Sequence, residues 1–303
     1  MPGSFEKLFA ESHVKCRDRE DVEKKLEKIL TDGVNELLVL SDFDYTLSRA
    51  FDENGDRCWS TLGVFDILAD EVQPGLSKEI LQLWEYYHPI EFDPHMSLDE
   101  KIPHMEDWWS KAHELICSAP FTKKILEGFV AKSNVRLREG GEEWIRHLEH
   151  SGVPLVVFSA GSGDVIHMHL NNKLGKIPDN VHIIANMIEY DGKGHLEKFK
   201  EPLIHVFNKN ATVIQKNGPF WDAHSTRKHL LLMGDSLGDI HMDVGEDHQG
   251  VTLKIGFLNK YSDDLYKRFL QGFDIVVLND QTMKIPDMIT KMVTSSKNEK
   301  AAV

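Results

Sequence analysis

Apolar runs of strand length alternate with amphipathic stretches along most of the chain. The runs at 37–40, 153–158 and 230–233 are apolar at every position, which is typical of strands buried on both faces of a parallel sheet. Further predicted strands, which are mostly apolar, lie at 181–186, 251–258 and 273–278. The stretches between them predict helices, as at 140–152, where Gly152 gives the stop signal. This alternation predicts an α/β fold with a doubly wound, Rossmann-like parallel sheet.

The stretch from Trp59 to about Val130 breaks the alternation. It lacks strong strand runs, and its four amphipathic segments are punctuated by prolines. A helical block that follows the first strand of a sheet is best explained as an insertion. We therefore predict a helical cap domain over 59–134, inserted into an α/β core made of 1–58 and 135–303.

Two carboxylates directly follow the first apolar run. Asp42 and Asp44 flank one residue at the carboxyl end of a predicted strand, where open α/β sheets bind their ligands. Carboxylates this close repel each other unless a cation or a shared proton intervenes, and a hard cation such as Mg²⁺ takes oxygen ligands. One carboxylate can then attack a phosphorus atom while the other carries a proton to the leaving oxygen. The alternative interpretation is an acidic surface turn.

Polar groups at the ends of later strands fit the same chemistry. Ser159 opens a turn whose backbone N–H groups can bind an anion, and Lys209 supplies a cation. Asp235 can complete a metal site, with Asp239 close by in the same glycine-bearing turn. Right-handed crossovers would bring these strand ends to one edge of the sheet. Each group alone also fits a plainer role, as a helix cap, a solvated lysine or a turn residue.

Composition and charge narrow the range of partners. The chain has 303 residues, with 35 basic and 49 acidic side chains and a net charge of −14, which argues against nucleic acid and anionic membranes. The three cysteines lack the spacing of a zinc site or a disulfide framework. The N-terminus has no apolar signal core, and no apolar run approaches membrane length. We expect a cytoplasmic monomer that acts on a small molecule.

Four segments resemble the motifs of the haloacid dehalogenase (HAD) superfamily of phosphatases. They are DFDYTLSR at 42–49, FSAGSGDV at 158–165, LIHVFNKN at 203–210 and LLMGDSLGD at 231–239. More narrowly, they resemble the cytosolic 5'-nucleotidase type III family, and the resemblance covers nearly the whole chain. It implies that Asp42 is the nucleophile and forms an aspartyl-phosphate. It implies that Asp44 is the general acid and then the general base for the hydrolytic water.

The same resemblance implies ligands for a metal ion and for the phosphate group. Mg²⁺ would be held by Asp42, the backbone carbonyl of Asp44 and Asp235. The phosphate would be held by Ser159, the backbone of Ala160 and Lys209.

Three residues of the predicted cap bear on the nucleobase. Glu91 resembles the glutamate that this family uses on the base. Members that act broadly on pyrimidine nucleotides have Tyr and, three residues later, Ser, where this chain has Trp109 and Ala112. This departure resembles the branch that takes 7-methylguanosine monophosphate, and an indole face near a carboxylate suits a cationic purine. The plainer alternatives are a solvated loop position for Glu91 and packing of Trp109, like its neighbour Trp108, inside the cap.

The sequence thus predicts a Mg²⁺-dependent 5'-nucleotidase. Its substrates would be 7-methyl-GMP, CMP and UMP, which it would convert to nucleoside and phosphate. A nucleoside that intercepts the aspartyl-phosphate would instead give phosphotransfer. The rival hypotheses are a HAD phosphatase for another small ester, such as a sugar phosphate, and a non-catalytic nucleotide-binding protein with the same fold.

Overall fold

The computed structural model describes residues 2–93, 95–210, 224, 226–243 and 250–300, with side-chain detail within 5–295. The helices of this part are α1 (Pro2–Phe9), α2 (Arg19–Asp32), α3 (Gly63–Val72), α4 (Leu76–Glu91), α5 (Leu98–Ser118), α6 (Lys123–Lys132), α7 (Gly141–Ser151), α8 (Gly163–Leu174), α9 (Asp263–Gly272) and α10 (Lys284–Lys300). Its strands are β1 (Val14–Lys15), β2 (Leu37–Ser41), β3 (Leu155–Ser162), β4 (Val181–Asn186), β5 (Ile188–Tyr190), β6 (Leu196–Phe199), β7 (His229–Gly234), β8 (Thr252–Leu258) and β9 (Ile275–Leu278).

A central sheet organises the described residues. Its seven strands follow the order β1-β9-β8-β7-β2-β3-β4, and every neighbouring pair is parallel except β1 with β9. The chain passes from β2 to β3 on one side and later returns to β7 on the other. The carboxyl end of β2 is therefore the switch point at which open α/β sheets bind ligands. The predicted doubly wound parallel sheet is confirmed.

The central strands are buried on both faces, because helices cover the sheet on each side. Val39 and Leu155 belong to one apolar cluster, whereas Leu40 and Val156, the next residues along, belong to the other. Burying a side chain of this size contributes about 1.5–3 kcal/mol. Burial of the apolar side chains on both faces thus stabilises the pairing of the central strands, and this pairing brings their carboxyl ends together.

Most predicted elements occur close to their expected positions. Helix α2 begins after Asp18, whose carboxylate accepts a hydrogen bond from the Asp21 N–H (3.0 Å). Helix α7 ends at Ser151, and Gly152 follows with φ +67°, a conformation that favours glycine. Strand β3 continues beyond Phe158 to Ser162, with a bulge between these two residues where a turn was expected.

Four helices, α3 to α6, occupy residues 63–132, and we call them the helical insertion. The alternative of a loop position for Glu91 was wrong, because α4 continues through Pro89 and ends at Glu91. A proline in the last turn removes only one backbone hydrogen bond, so it does not stop the helix at once. The division into cap and core stays a prediction. Within the described ranges, we find no helix with the length and hydropathy needed to cross a membrane.

Candidate active site

Asp42 and Lys209 form the centre of the site at the carboxyl end of β2. The Asp42 N–H donates to the Met233 carbonyl on the neighbouring β7 (3.0 Å), which fixes the aspartate at the strand end. The Lys209 ammonium donates to Asp42 Oδ1 (2.7 Å) and to Asp239 Oδ1 (2.6 Å). All three side chains are buried. One lysine therefore bridges two carboxylates that would otherwise repel each other.

Three carboxylates form a compact acidic cluster beside this lysine. Oxygens of Asp42, Asp235 and Asp239 all lie within 4.8 Å of one another. The second oxygen of Asp239 accepts from the Asp235 N–H (3.2 Å) and from the Ser236 N–H (3.0 Å). Oxygen donors in a cluster with more negative than positive charge fit a hard divalent cation such as Mg²⁺. The structure groups Asp239 with Asp42 and Asp235, whereas the predicted set used the Asp44 backbone.

Burial shifts the acid–base equilibria of this cluster. It raises the pKa of Asp42 to about 7, even though Lys209 opposes the shift. It also raises the pKa of Asp235 well above its ordinary value, and Asp42 and Asp239 add to the effect. Burial lowers the pKa of Lys209, but the two carboxylates outweigh it and the net pKa is raised. The lysine thus stays charged, and a bound divalent cation would favour the ionised carboxylates.

The Asp44 side chain is held by Thr61, which lies two residues before the helical insertion. Its two oxygens accept from the Thr61 N–H (2.8 Å) and the Thr61 hydroxyl (2.6 Å). Burial raises the pKa of Asp44 to about 6, and the two bonds from Thr61 oppose the rise. A carboxyl with such a pKa is partly protonated near neutrality, which suits a group that donates and then accepts a proton.

The bulge in β3 brings Ser159 and Gly161 next to Asp44 and Thr61. The Ser159 hydroxyl accepts from the Gly161 N–H (3.0 Å), so it does not cap α8, which begins after Ser162. A Cβ on Gly161 would lie 1.9 Å from the Thr61 hydroxyl and 2.7 Å from Asp44 Oδ2. A side chain at this position would force the Thr61 hydroxyl or the Asp44 carboxylate to shift, so the bulge requires glycine.

Trp109 joins the helical insertion to the core. Its indole N–H donates to the Ala160 carbonyl (3.0 Å), which also accepts from the Asn186 side chain (2.8 Å). Its side chain is buried with Tyr87 in an apolar cluster, and 8% of it remains exposed. Trp108 instead stacks on Tyr87, with ring centroids 5.8 Å apart. Stacking of a base on Trp109 stays a prediction.

Glu91 lies at the end of α4, close to the loop that carries Lys209. The Lys101 ammonium donates to the Glu91 carbonyl (2.7 Å) and lies 5.8 Å from the ring centre of Phe207. Burial raises the pKa of the Glu91 carboxyl to about 7, with Lys101 opposing. Ala112 follows Trp109 by three residues on α5, and its small side chain is partly buried.

The structure brings the predicted core residues together and adds others. Asp42, Lys209 and Asp235 meet at one edge, while Asp44 and Ser159 lie around Gly161. Four contributors were missed by sequence reasoning: Thr61, Lys101, Asn186 and Phe207. Phe207 lies within the LIHVFNKN motif, so that motif carried a signal for it. The other three reach the site through tertiary contacts that no local pattern encodes.

Comparison with known proteins assigns this geometry to a family. The family model for pyrimidine 5'-nucleotidase (UMPH-1) matches residues 45–294. A putative cytosolic 5'-nucleotidase 3 of Caenorhabditis elegans is 42% identical over 291 residues, covering 95% of this chain and 77% of the relative. The 7-methylguanosine phosphate-specific 5'-nucleotidase of Homo sapiens is 38% identical over 256 residues, covering 84% and 83%.

Solved structures agree with this assignment. Cytosolic 5'-nucleotidase IIIB bound to cytidine superposes with a TM-score of 0.88 at 33% identity, covering 95% of this chain and 96% of that one. A HAD family hydrolase of Salmonella enterica, with a TM-score of 0.53 and 14% identity over 86% of this chain and 73% of its own, shares the fold. The predicted HAD fold and family resemblance are confirmed. The chain belongs to the pyrimidine 5'-nucleotidase family and is a phosphoric monoester hydrolase.

Proposed function

We propose that this chain is a Mg²⁺-dependent enzyme that hydrolyses nucleoside 5'-monophosphates through phosphorylation of Asp42. The observation that supports this most strongly is the position of the Lys209 ammonium, 2.7 Å from Asp42 and 2.6 Å from Asp239. The Lys209 ammonium holds the buried Asp42 in place, and it supplies a positive charge beside the site where the phosphate group of the substrate would bind. Positioning and charge neutralisation of this kind dominate phosphoryl transfer.

The reaction follows from the roles of the chain's own residues. An Asp42 oxygen forms a bond to phosphorus while the bond to the nucleoside 5'-oxygen breaks, and Asp44 gives its proton to that oxygen. A water then loses a proton to Asp44 and attacks the phosphorus, which frees Asp42 and releases phosphate. Ser159, the Ala160 backbone and Lys209 hold the phosphoryl oxygens. Mg²⁺, held by Asp42, Asp235 and the Asp44 carbonyl with Asp239 beside them, would neutralise phosphate charge.

The substrates we propose are 7-methyl-GMP and CMP, with UMP as a third. The human relative is named as specific for 7-methylguanosine phosphate, and the solved relative holds cytidine. Glu91 and Trp109 would contact the base, with Ala112 beside them, and residues 59–134 would act as a cap. We further propose that the protein acts in the cytosol, as the name of the Caenorhabditis elegans relative suggests, and as a monomer.

The test is phosphate release with Mg²⁺ from CMP, UMP, AMP, GMP and 7-methyl-GMP, with Asp42→Asn as the control. We expect release from 7-methyl-GMP and CMP, abolished in the variant. Release from CMP and UMP alone would keep the mechanism and overturn the 7-methyl-GMP preference. Release from sugar phosphates but from no nucleotide would overturn the substrate class.

A further inference from the structure

Arg138 reaches from the segment between α6 and α7 to the turn that carries the two motif aspartates. Its side chain is 1% exposed. The guanidinium donates to the carbonyl oxygens of Thr46 (2.6 Å), Tyr45 (2.6 Å) and Asp280, and to the side-chain oxygen of Asn259 (2.9 Å). Two of these acceptors lie directly after Asp44 in the chain.

Tyr45 needs this support because its backbone is strained. It has φ +63° and ψ 7°, a left-handed conformation that tyrosine rarely adopts. Its carbonyl accepts from Arg138 and also from the Asn259 side-chain amide (2.9 Å), and its N–H donates to the Ser48 hydroxyl (2.8 Å). Three side chains thus hold the peptide groups of the residue that follows the proposed general acid.

The strained turn sets the direction of the Asp44 side chain. Asp44 itself has extended backbone, and its carboxylate meets Thr61 just before the helical insertion. Rotation of the Tyr45 peptide would move the Asp44 carboxylate relative to Thr61 and to the leaving oxygen. A displacement of about 1 Å in a reacting group can lower a rate about 10²-fold.

The partners of the guanidinium also point to a role beyond stability. Among the described residues, each of its hydrogen bonds goes to a neutral oxygen, and no carboxylate forms a salt bridge with it. The Phe257 ring lies 3.9 Å from the guanidinium carbon. Burying a cation without a paired carboxylate is normally destabilising. The acidic group that compensates it most is Asp235, which acts through space from the acidic cluster.

We propose that Arg138 is a positioning residue for the reaction. It holds the left-handed Tyr45 peptide so that Asp44 keeps the geometry of a proton donor, with Asn259 as its helper. This inference rests on the proposed role of Asp44 as general acid and base.

A second arginine supplies a matched control at the opposite end of β2. Arg227 donates to the carbonyls of Val34 (3.0 Å), Leu37 (2.8 Å) and Gly152 (2.9 Å). It therefore binds as many carbonyl oxygens as Arg138 does, but at the amino end of the strand, away from the site. A purely structural role predicts similar effects of the two arginines on activity.

The test is a double-mutant cycle on kcat/KM for CMP. We expect Arg138→Met to lower kcat/KM about 10²-fold through kcat, with KM changed less than about threefold. In an Asp44→Asn background, Arg138→Met should lower kcat/KM less than about threefold, because the carboxyl group that Arg138 positions is already lost. Asn259→Ser should lower kcat about tenfold with the same non-additivity. Arg227→Met should leave kcat within about threefold of the wild type.

Several outcomes would overturn the inference. Equal losses from Arg138→Met in the wild-type and Asp44→Asn backgrounds would show that Arg138 does not act through Asp44. Equal kcat losses from Arg138→Met and Arg227→Met would show a general structural role. If Arg138→Met does not fold, judged by circular dichroism, then Arg138→Lys and Asn259→Ser carry the same cycle. A wild-type enzyme inactive on every nucleotide would instead overturn the proposed function.

Discussion

The carboxyl edge of the sheet and the helical insertion bury acidic side chains in opposite ways. At the sheet edge, Asp42 and Asp239 share the Lys209 ammonium, so buried negative charge is partly compensated within a cluster. In the insertion, the carboxylates of Glu91 and Asp66 have no hydrogen bond or salt bridge to the described residues, and burial raises the pKa of each to about 7.

This difference separates the requirements of catalysis from those of recognition. A nucleophile must be fixed in place before the substrate arrives, which the two short bonds of Lys209 achieve, and a bound divalent cation would favour its ionised form. A carboxyl without a partner loses its charge near neutrality and regains it when a cationic or hydrogen-bonding ligand approaches. The sheet edge is thus prepared in advance, whereas Glu91 can respond to the base that is bound.

The strongest test of the comparison removes the shared cation. In the absence of metal, Lys209→Met should destabilise the fold by about 3–5 kcal/mol, because two buried carboxylates lose their partner. Urea unfolding measures the loss, and adding Asp239→Asn should recover part of it. Lys25→Met is the control, since the partly exposed pair of Lys25 with Asp274 (2.6 Å) should contribute about 1 kcal/mol or less. Equal losses of unfolding free energy in Lys209→Met and Lys25→Met would show that the buried cluster at the sheet edge is no more dependent on its cation than a partly exposed pair.

Stability as a function of pH tests the unpaired carboxyls. Burial raises the pKa of Glu91 in the folded protein from 4.5 to about 7. The stability that the neutral carboxyl contributes is therefore fully present below about pH 4.5, and it is lost as the pH rises through 7. Glu91→Gln should therefore be more stable than the wild type at pH 8, by up to about 3 kcal/mol, and equal to it at pH 4. Asp66→Asn should show the same gain in stability at pH 8 and no gain at pH 4. A gain that is larger at pH 4 would contradict this.

The contact between the sheet edge and the segment that leads into the helical insertion is tested at Thr61. Thr61→Val removes the hydroxyl bond to Asp44 (2.6 Å) and keeps the N–H bond (2.8 Å). We expect kcat/KM to fall about 10–10²-fold. Because both bonds favour ionised Asp44, its pKa should rise above about 6, and the decline of kcat/KM on the alkaline side should move to higher pH. Thr61→Ser should preserve the wild-type profile, and an unshifted profile in Thr61→Val would refute the assignment.

The smallest expected effect concerns Trp109. Trp109→Phe keeps a buried aromatic ring and removes the N–H bond to Ala160 (3.0 Å), so it should cost about 1 kcal/mol of stability. Trp108→Phe provides the control, because the indole N–H of Trp108 donates no hydrogen bond to the described residues. Thermal unfolding measures both variants, and equal shifts would show that the bond between the insertion and the core contributes little.

Sequence reasoning located the sheet edge well because simple rules govern it. Apolar runs fixed the strands that end before Asp42 and Asp235, and right-handed crossovers brought these two residues to one edge. The strand expected before Lys209 was wrong, because residues 206–208 form a turn and Lys209 follows that turn. Sequence reasoning did not place Glu91 on a helix, because α4 continues through Pro89, one of the prolines that punctuate the predicted segments. It also missed Thr61 and Arg138, since neither the Thr61–Asp44 bond nor the Arg138–Tyr45 bond leaves a periodic pattern. Contacts between segments distant in sequence depend on tertiary geometry that a single sequence does not encode locally.

The strand order has a consequence for how the protein is made. The bond between Lys209 and Asp42 joins residues 167 positions apart, and β2 lies between strands that follow it by more than a hundred residues. During synthesis, β2 and Asp42 emerge long before β7 and Lys209 exist. The first half of the chain therefore carries an exposed apolar strand and an uncompensated carboxylate until the second half arrives. Early termination anywhere before Asp239 should give an inactive, aggregation-prone fragment.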